Sequence, residues 1–198
     1  CRINNNSNLF EIWEKLGAVE CVLEELLDFK REISIMYFKS TDNTDGFFPL
    51  SENFHENGIL KKTIAPTILN DVIKDELKLK TKKLSENLNF YGIIAIELFE
   101  LVDGRIIFNE IAPRPHNSFH WTLDGCENSQ FDILIRTICG LPVKDVKCNT
   151  KWEMKNIIGD DANNLNEIYS NQNYLLNLYG KKNIKAGRKM GHYNRQII

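Results

Sequence analysis

Several absences narrow the reading of this chain at once. No apolar run approaches the roughly 20 residues of a membrane-spanning helix, and the stretch "GIIAI" runs straight into Glu97. No charged-then-apolar leader opens the sequence, so no export signal is visible. The first residue is Cys1 and not Met, which suits a piece of a longer protein. No G-x-x-x-x-G-K-[ST] occurs, which excludes a P-loop as the nucleotide motif. The five cysteines are odd in number and none sits in a C-x-x-C pair. That argues against a disulfide framework and a zinc ribbon, and it predicts reduced, partly buried thiols in a cytosolic protein. Neither sign of charge dominates, with a net charge of -2, so no global electrostatic case for nucleic acid exists.

What is present is ordinary soluble-protein material: 42% hydrophobic and 26% charged residues over 198 positions. That length suits one domain, or one and a small second. Asn and Lys are abundant, as in "NNNSN" and "DDANNLN", and we read this as compositional bias. Residues 9–17, "LFEIWEKLG", predict a short helix closed by Gly17. "AVECVLEELL" suits a strand leading into a linker, with helix left open by periodicity. "REISIMYFK" reads as a strand, and "STDNTDG" as a turn before "FFPL", giving a hairpin over 32–50. "SENFHENGIL" reads as polar and irregular. From Pro66 to Asn89, apolar residues at Leu69, Ile73, Leu77, Leu84 and Leu88 predict a long amphipathic helix. Two apolar strands flank Asp103-Gly104, a strong hairpin signal. Residues 128–140 predict another helix, ended by Gly140 and Pro142. Short segments separated by Gly and Asn follow, so a boundary is placed near residue 146. The expected fold is α+β with a largely antiparallel sheet. Residues 1–145 make up one domain and 146–198 a small β-rich one.

The candidate chemistry lies on the predicted hairpin. A two-residue turn at Asp103-Gly104 sets Glu97 opposite Glu110, with Cβ atoms about 4.5–5.5 Å apart. Like charges so placed, in apolar strands, destabilise a sheet unless something compensates. A divalent cation with oxygen ligands, such as magnesium, does so. Two acids on a solvated face are the competing explanation. Asn109 points to the opposite face if the strand is regular. Then comes "IAPRPHNS". Two prolines restrict the backbone around Arg114, whose planar fork suits phosphate or carboxylate. His116 can donate to an oxyanion or move a proton. Each of Arg114, His116 and His120 alone would be an ordinary structural residue; clustered after an acid pair, they point to a phosphate or carboxylate site. "AGRKMGH", with Lys181, Lys182 and Lys185 before it, is a basic turn.

The run "IELFELVDGRIIFNEIAPRPHNSFHWT", with "PLSENFHENGIL" and "GRKMGH", resembles the 5-(carboxyamino)imidazole ribonucleotide synthase family over about Val19 to His192. These are ATP-grasp carboxylases of purine biosynthesis. The resemblance implies the C-terminal half of an ATP-grasp fold, an antiparallel sheet with helices, followed by a small C-terminal domain. It implies ATP and magnesium as cofactors, with bicarbonate and 5-aminoimidazole ribonucleotide as substrates. ATP would phosphorylate bicarbonate, and the ribonucleotide amine would capture the carbon. Glu97 and Glu110 would hold magnesium, with Asn109 beside the phosphates. Glu24, Glu25, Leu26 and Leu27 would meet adenine, and Glu32 the ribose. His55 would face the nucleotide. Arg114, His116 and Asn117 would surround bicarbonate. Asn156, Lys181 or Lys182, and Arg188 would bind the ribonucleotide.

Three departures accompany the resemblance. Phe119 stands where the family has Gly, and a side chain there loses easy access to positive φ. "EELL" lacks the usual Gly. The family's upstream domain, with its Gly-rich phosphate-covering loop, is not in this chain, which is therefore expected to be inactive by itself. The resemblance further implies a cytoplasmic enzyme, dimeric when full length, with no nucleic-acid or membrane partner. Another ATP-grasp ligase, or a catalytically dead module with a binding role, remains the alternative.

Overall fold

A computed structural model of the chain describes residues 1–197. Its strands are β1 (Phe29–Lys39), β2 (Asp45–Phe47), β3 (Ser51–Glu56), β4 (Ile59–Ala65), β5 (Gly92–Leu101), β6 (Ile106–Ala112), β7 (Lys151–Ile158), β8 (Leu175–Leu178) and β9 (Lys189–Ile197). Its α-helices are α1 (Leu9–Lys15), α2 (Asp71–Asn87), α3 (Thr122–Gly125), α4 (Gln130–Ile138) and α5 (Asn166–Ser170). The strands of the described residues form one antiparallel sheet in the order β6-β5-β1-β3-β4-β7-β9-β8, with β2 added beside β1. The α+β expectation therefore holds. Residue 146 falls in the connection between α4 and β7, and β7 pairs directly with β4, so the sheet runs on past it. No helix among the described residues is long and apolar enough to cross a membrane.

The alternation of β1 and β5 gives the sheet two apolar faces. Ile33, Ile35, Ile94, Ile96 and Leu98 pack under α2, which buries Leu77, Thr81 and Ser85. Met36, Phe38, Ile93 and Ala95 face the other way, against Phe119, Trp121, Ile133 and Trp152. Glu97 lies on that second face, at the end where the apolar packing stops.

The structure corrects several expectations. "SENFHENGIL" is not irregular but the β3–β4 hairpin, turning at Asn57 (φ 51) and Gly58 (φ 74). Asn-Gly is the strongest two-residue hairpin signal, because both central residues of such a turn take positive φ. "AVECVLEELL" forms no strand; it is an exposed, irregular approach to β1 without a pairing partner. Helix α2 starts only at Asp71, where the Asn70 side chain caps the N–H groups of Val72 and Ile73. Leu69 and Leu88 thus lie outside it.

The cysteine expectation also fails. Cys126 and Cys148 form a disulfide, leaving Cys1, Cys21 and Cys139 free. Packing brings the two together. A Cβ on Gly125 would lie 2.8 Å from the Trp121 ring and 2.9 Å from the Trp152 ring, so only glycine lets the segments close. The Glu127 N–H then donates to Lys147 O at 3.0 Å. A separation of 22 residues carries no motif that would reveal such a pair.

Candidate active site

Glu97 and Glu110 do pair across β5 and β6. The route differs from the predicted two-residue turn. Leu101 N–H donates to Arg105 O, so the loop has three residues, Val102-Asp103-Gly104, with Gly104 at φ +86. That shifts the register by one until a β-bulge at Asn109 shifts it back: Leu98 pairs with Phe108, yet Glu97 pairs with Glu110. A bulge places two residues against one and re-aims side chains. Here it turns Asn109 into the same cleft as Glu97 and Glu110, where a regular strand would have faced it away.

The cleft has a volume of about 670 Å³. Glu32, His55, Glu97, Asn109, Glu110, Arg114, His116 and Asn117 all line it. Asn53 bridges Ser34 (2.6 Å) and Thr63 (3.1 Å) in a buried polar contact that joins β1, β3 and β4. One end of the cleft is apolar, where Phe29 and Phe99 stack with centroids 4.5 Å apart. A second cavity of about 520 Å³ lies between α2 and β5–β6, lined chiefly by apolar residues such as Leu77, Leu84 and Leu98. It gathers no comparable set of charges.

Burial, first of all, raises the pKa of Glu97; Glu110 and Glu32 push the same way, while His55 and Lys189 oppose. Glu97 is 8% exposed, whereas Glu110 is open to solvent. His55 Nδ1 lies 2.8 Å from Glu32 Oε2. The His116 ring sits between the acids, with Nδ1 3.7 Å from Glu97 and Nε2 3.9 Å from Glu110. Burial, reinforced by Arg114 and Lys189, lowers its pKa to about 4, so it is neutral at pH 7. Its Nδ1 is 2.8 Å from Ser118 Oγ. A neutral imidazole adds no positive charge between the two facing carboxylates, so within the cleft cations such as Arg114 and Lys189 are left to offset them. Two carboxylates facing each other across a strand pair are oxygen donors that fit a hard divalent cation. Among the described residues no group of three or more His, Cys, Asp or Glu side chains is placed to hold a metal. Such an ion would therefore need further oxygens, from water or phosphate.

Phe119 needs no positive φ. It lies in a short 3-10 helix, Asn117–Phe119, is fully buried, and packs edge-on against Phe48 at 6.1 Å. The side chain fills the core under the site. Trp121 donates from Nε1 to Ser51 Oγ at 2.9 Å and ties the loop to β3.

Other predicted residues lie elsewhere. Glu24, Glu25, Leu26 and Leu27 sit on the irregular segment before β1 and do not line the cleft. Asn156 is buried and donates to Leu60 O at 2.9 Å. Lys181 donates to Lys189 O, Lys182 is exposed, and Arg188 donates to Asn183 O at 3.0 Å. Lys189 was missed. It is the first residue of β9, not part of a free basic turn, and its side chain enters the cleft. Burial lowers its pKa, against the pull of Glu97 and Glu110.

All the acids of this cleft, with Asn109, Arg114, His116 and Asn117, fall within residues that match one family model, the ATP-grasp domain, over 1–131; Lys189 alone of the cleft residues named above lies beyond it. The chain belongs to the ATP-grasp family. Residues 153–195 match the phosphoribosylaminoimidazole carboxylase C-terminal domain. The chain is similar to the N5-carboxyaminoimidazole ribonucleotide synthase of Bacillus subtilis, 40% identical over 173 residues, covering 87% of this chain and 46% of the relative. It resembles the Staphylococcus aureus N5-carboxyaminoimidazole synthetase solved with ADP, with TM-score 0.88 and 36% identity, covering 98% of this chain and 53% of that one. It also resembles the Aspergillus clavatus N5-carboxyaminoimidazole synthase solved with ADP and 5-aminoimidazole ribonucleotide, with TM-score 0.81 and 32% identity, covering 95% of this chain and 53% of that one. This ATP-grasp chain spans about half the length of the curated relatives it matches.

Proposed function

We propose that this ATP-grasp chain carries the nucleotide and bicarbonate half of a cytoplasmic ligase. The enzyme joins bicarbonate to the exocyclic amine of 5-aminoimidazole ribonucleotide, giving N5-carboxyaminoimidazole ribonucleotide, ADP and phosphate. The single observation that carries the reading is the pairing of Glu97 with Glu110 in a cleft that also holds Asn109, Arg114 and His116. Glu97 and Glu110 would hold magnesium, which neutralises phosphate charge when bound. Phosphoryl transfer asks for positioning and charge stabilisation more than covalent chemistry from the protein. Arg114 is exposed, with Nη1 donating to Pro115 O at 3.0 Å, and would turn onto the transferring phosphoryl group or the bicarbonate oxygens. Neutral His116 can donate to an oxyanion without adding a cation. Asn117 completes that end of the cleft. The apolar Phe29–Phe99 end suits the base, with Glu32 and His55 next to it for the ribose. Lys189 and, from the strand region after 146, Lys181 and Arg188 supply the positive side on which a ribonucleotide phosphate would rest. Residues 1–145 thus serve the nucleotide and 146–198 the acceptor, and the working enzyme is a homodimer.

ATP-grasp chemistry closes nucleotide between two lobes and excludes water. Turnover should therefore require the segment that precedes the matched span in the relatives. The test measures ADP release by residues 1–198 alone and after in-frame joining to that segment of the Bacillus subtilis relative. Release that depends on bicarbonate and ribonucleotide is expected only in the joined protein. A joined protein that binds magnesium–ADP but shows no such release would overturn the reading.

A further inference from the structure

Gln130 opens α4 and is fully buried. Its side-chain oxygen accepts from the His116 N–H at 2.8 Å, and its nitrogen donates to the His116 carbonyl at 3.0 Å. The same nitrogen lies 2.8 Å from Nδ1 of His120. The amide cannot be turned around, because a backbone N–H only donates and a carbonyl only accepts. Both hydrogens of Nε2 are therefore assigned, one to His116 O and the other to His120 Nδ1. His120 Nδ1 must be an acceptor. Gln130 is itself fixed: its N–H donates to Thr122 Oγ1 at 3.0 Å, and Ser129 and Asp132 form the capping box that starts α4.

We propose that Gln130 is the positioning residue of the cleft. It sets the backbone of His116, so that the imidazole stands between Glu97 and Glu110, and it locks His120 in the Nε2–H tautomer. His116 lies in a loop with no ladder to join: its buried N–H finds its partner in the Gln130 side chain, and its C=O, which also accepts from the Phe119 N–H at 3.0 Å, takes a second bond from the same amide. Glutamate has the same shape but, ionised, can only accept, so it would face the His116 carbonyl and His120 Nδ1 with nothing to give them. The far side of His120 is held separately: the ring stacks on Phe131 at 5.6 Å and meets His192 at 5.0 Å, and Asn194 Nδ2 donates to His120 O at 3.1 Å. The consequence for turnover rests on the proposed carboxylase reading; the geometry does not.

The test is ring nitrogen–proton correlation spectroscopy on the 198-residue chain at neutral pH, with Gln130→Glu and Gln130→Met beside the native protein. The native His120 should show a bare Nδ1 and a protonated Nε2. Gln130→Glu should move a proton onto Nδ1, and Gln130→Met should average the tautomers and displace the His116 ring signals. A native His120 protonated at Nδ1 overturns the proposal by itself, even if both variants fail to fold. Unmoved His116 signals in a folded Gln130→Met overturn it as well. In the joined protein, Gln130→Met should lower kcat about 10- to 100-fold and leave the Michaelis constant for ATP within about twofold. Equal damage to both would mean a merely structural role. The spectra need no substrate, so they still decide the tautomer and the placement of His116 if the carboxylase reading fails.

Discussion

Glu97 and Glu110 face each other across β5 and β6 because two irregularities cancel, the three-residue loop at Val102–Gly104 and the bulge at Asn109. The bulge also separates two jobs on one strand. Phe108 pairs with Leu98 on the α2 side of the sheet, while Glu110 pairs with Glu97 on the cleft side. In an unbroken strand residues 108 and 110 would share a face.

Buried acid pairs trade stability for binding. Glu97→Gln removes a carboxylate whose ionisation burial opposes, so the chain should gain on the order of 1 kcal/mol at neutral pH. Its magnesium–ADP affinity should fall about 10-fold or more. Glu110→Gln, at an exposed position, should lose affinity without the gain in stability. The double change should add little to either single loss, as expected of residues acting as one unit. Calorimetric titration and urea unfolding check both quantities. Unchanged magnesium dependence in either variant would remove the pair from the metal assignment.

Deleting Asn109 gives a sharper test of the bulge. The deletion leaves Phe108 opposite Leu98 and Glu110 opposite Glu97, so the fold should survive with a modest change in Tm. Nucleotide affinity should still drop, because the amide is gone. A deletion variant that unfolds would show that the bulge is needed for the strand itself.

His120 and His192 are kept neutral by burial, with pKa values of about 3 and about 4. In the unfolded chain a histidine titrates near 6.5. Between those values the unfolded state binds more protons, so stability is complete above about pH 6.5 and is lost as the pH falls toward 4. The loss should approach about 1.4 kcal/mol per pH unit for each histidine. Urea unfolding at pH 7, 6 and 5 measures it, and His192→Gln should flatten the curve. An already flat native curve would mean that both rings take up protons inside the fold.

The Cys126–Cys148 bond closes a separation of 22 residues. Loop-closure entropy assigns such a crosslink about 3 kcal/mol. Cys148→Ser should lower the unfolding free energy by about that amount. Thiol titration of the denatured, unreduced protein should find the three free cysteines, and five after reduction. Five thiols before reduction would show the pair open in solution.

Strands with clean alternation were readable from the residues alone. Phe29–Lys39 and the hairpin around Asp103-Gly104 combine β-branched side chains with strong turn chemistry. The β3–β4 hairpin was missed because its strands carry Glu52, Asn53, His55 and Lys61, whose polarity serves the cleft and the sheet surface instead of the core. Asn57-Gly58 was legible and should have outweighed that. The acid pair was placed correctly through an idealised turn, since neither the longer loop nor the bulge leaves a mark in composition. Lys189 and Gln130 were invisible for another reason. A single polar residue at a strand start or a helix start looks the same whether its side chain points at solvent or into a cleft. The disulfide and the role of Phe119 depend on contacts between segments far apart in sequence.

The two family matches end and begin on either side of residues 132–152, yet β4 hydrogen-bonds to β7 across that gap. Inheritance and folding are thus divided at different places. A chain cut at 146 would keep the acid pair but expose the β4 edge, and would lose Trp152 and Met154 from beneath Trp121 and Phe119. The C-terminal strands act as a keystone for residues 1–131, and an exchange of that region between relatives must match the sheet before anything else.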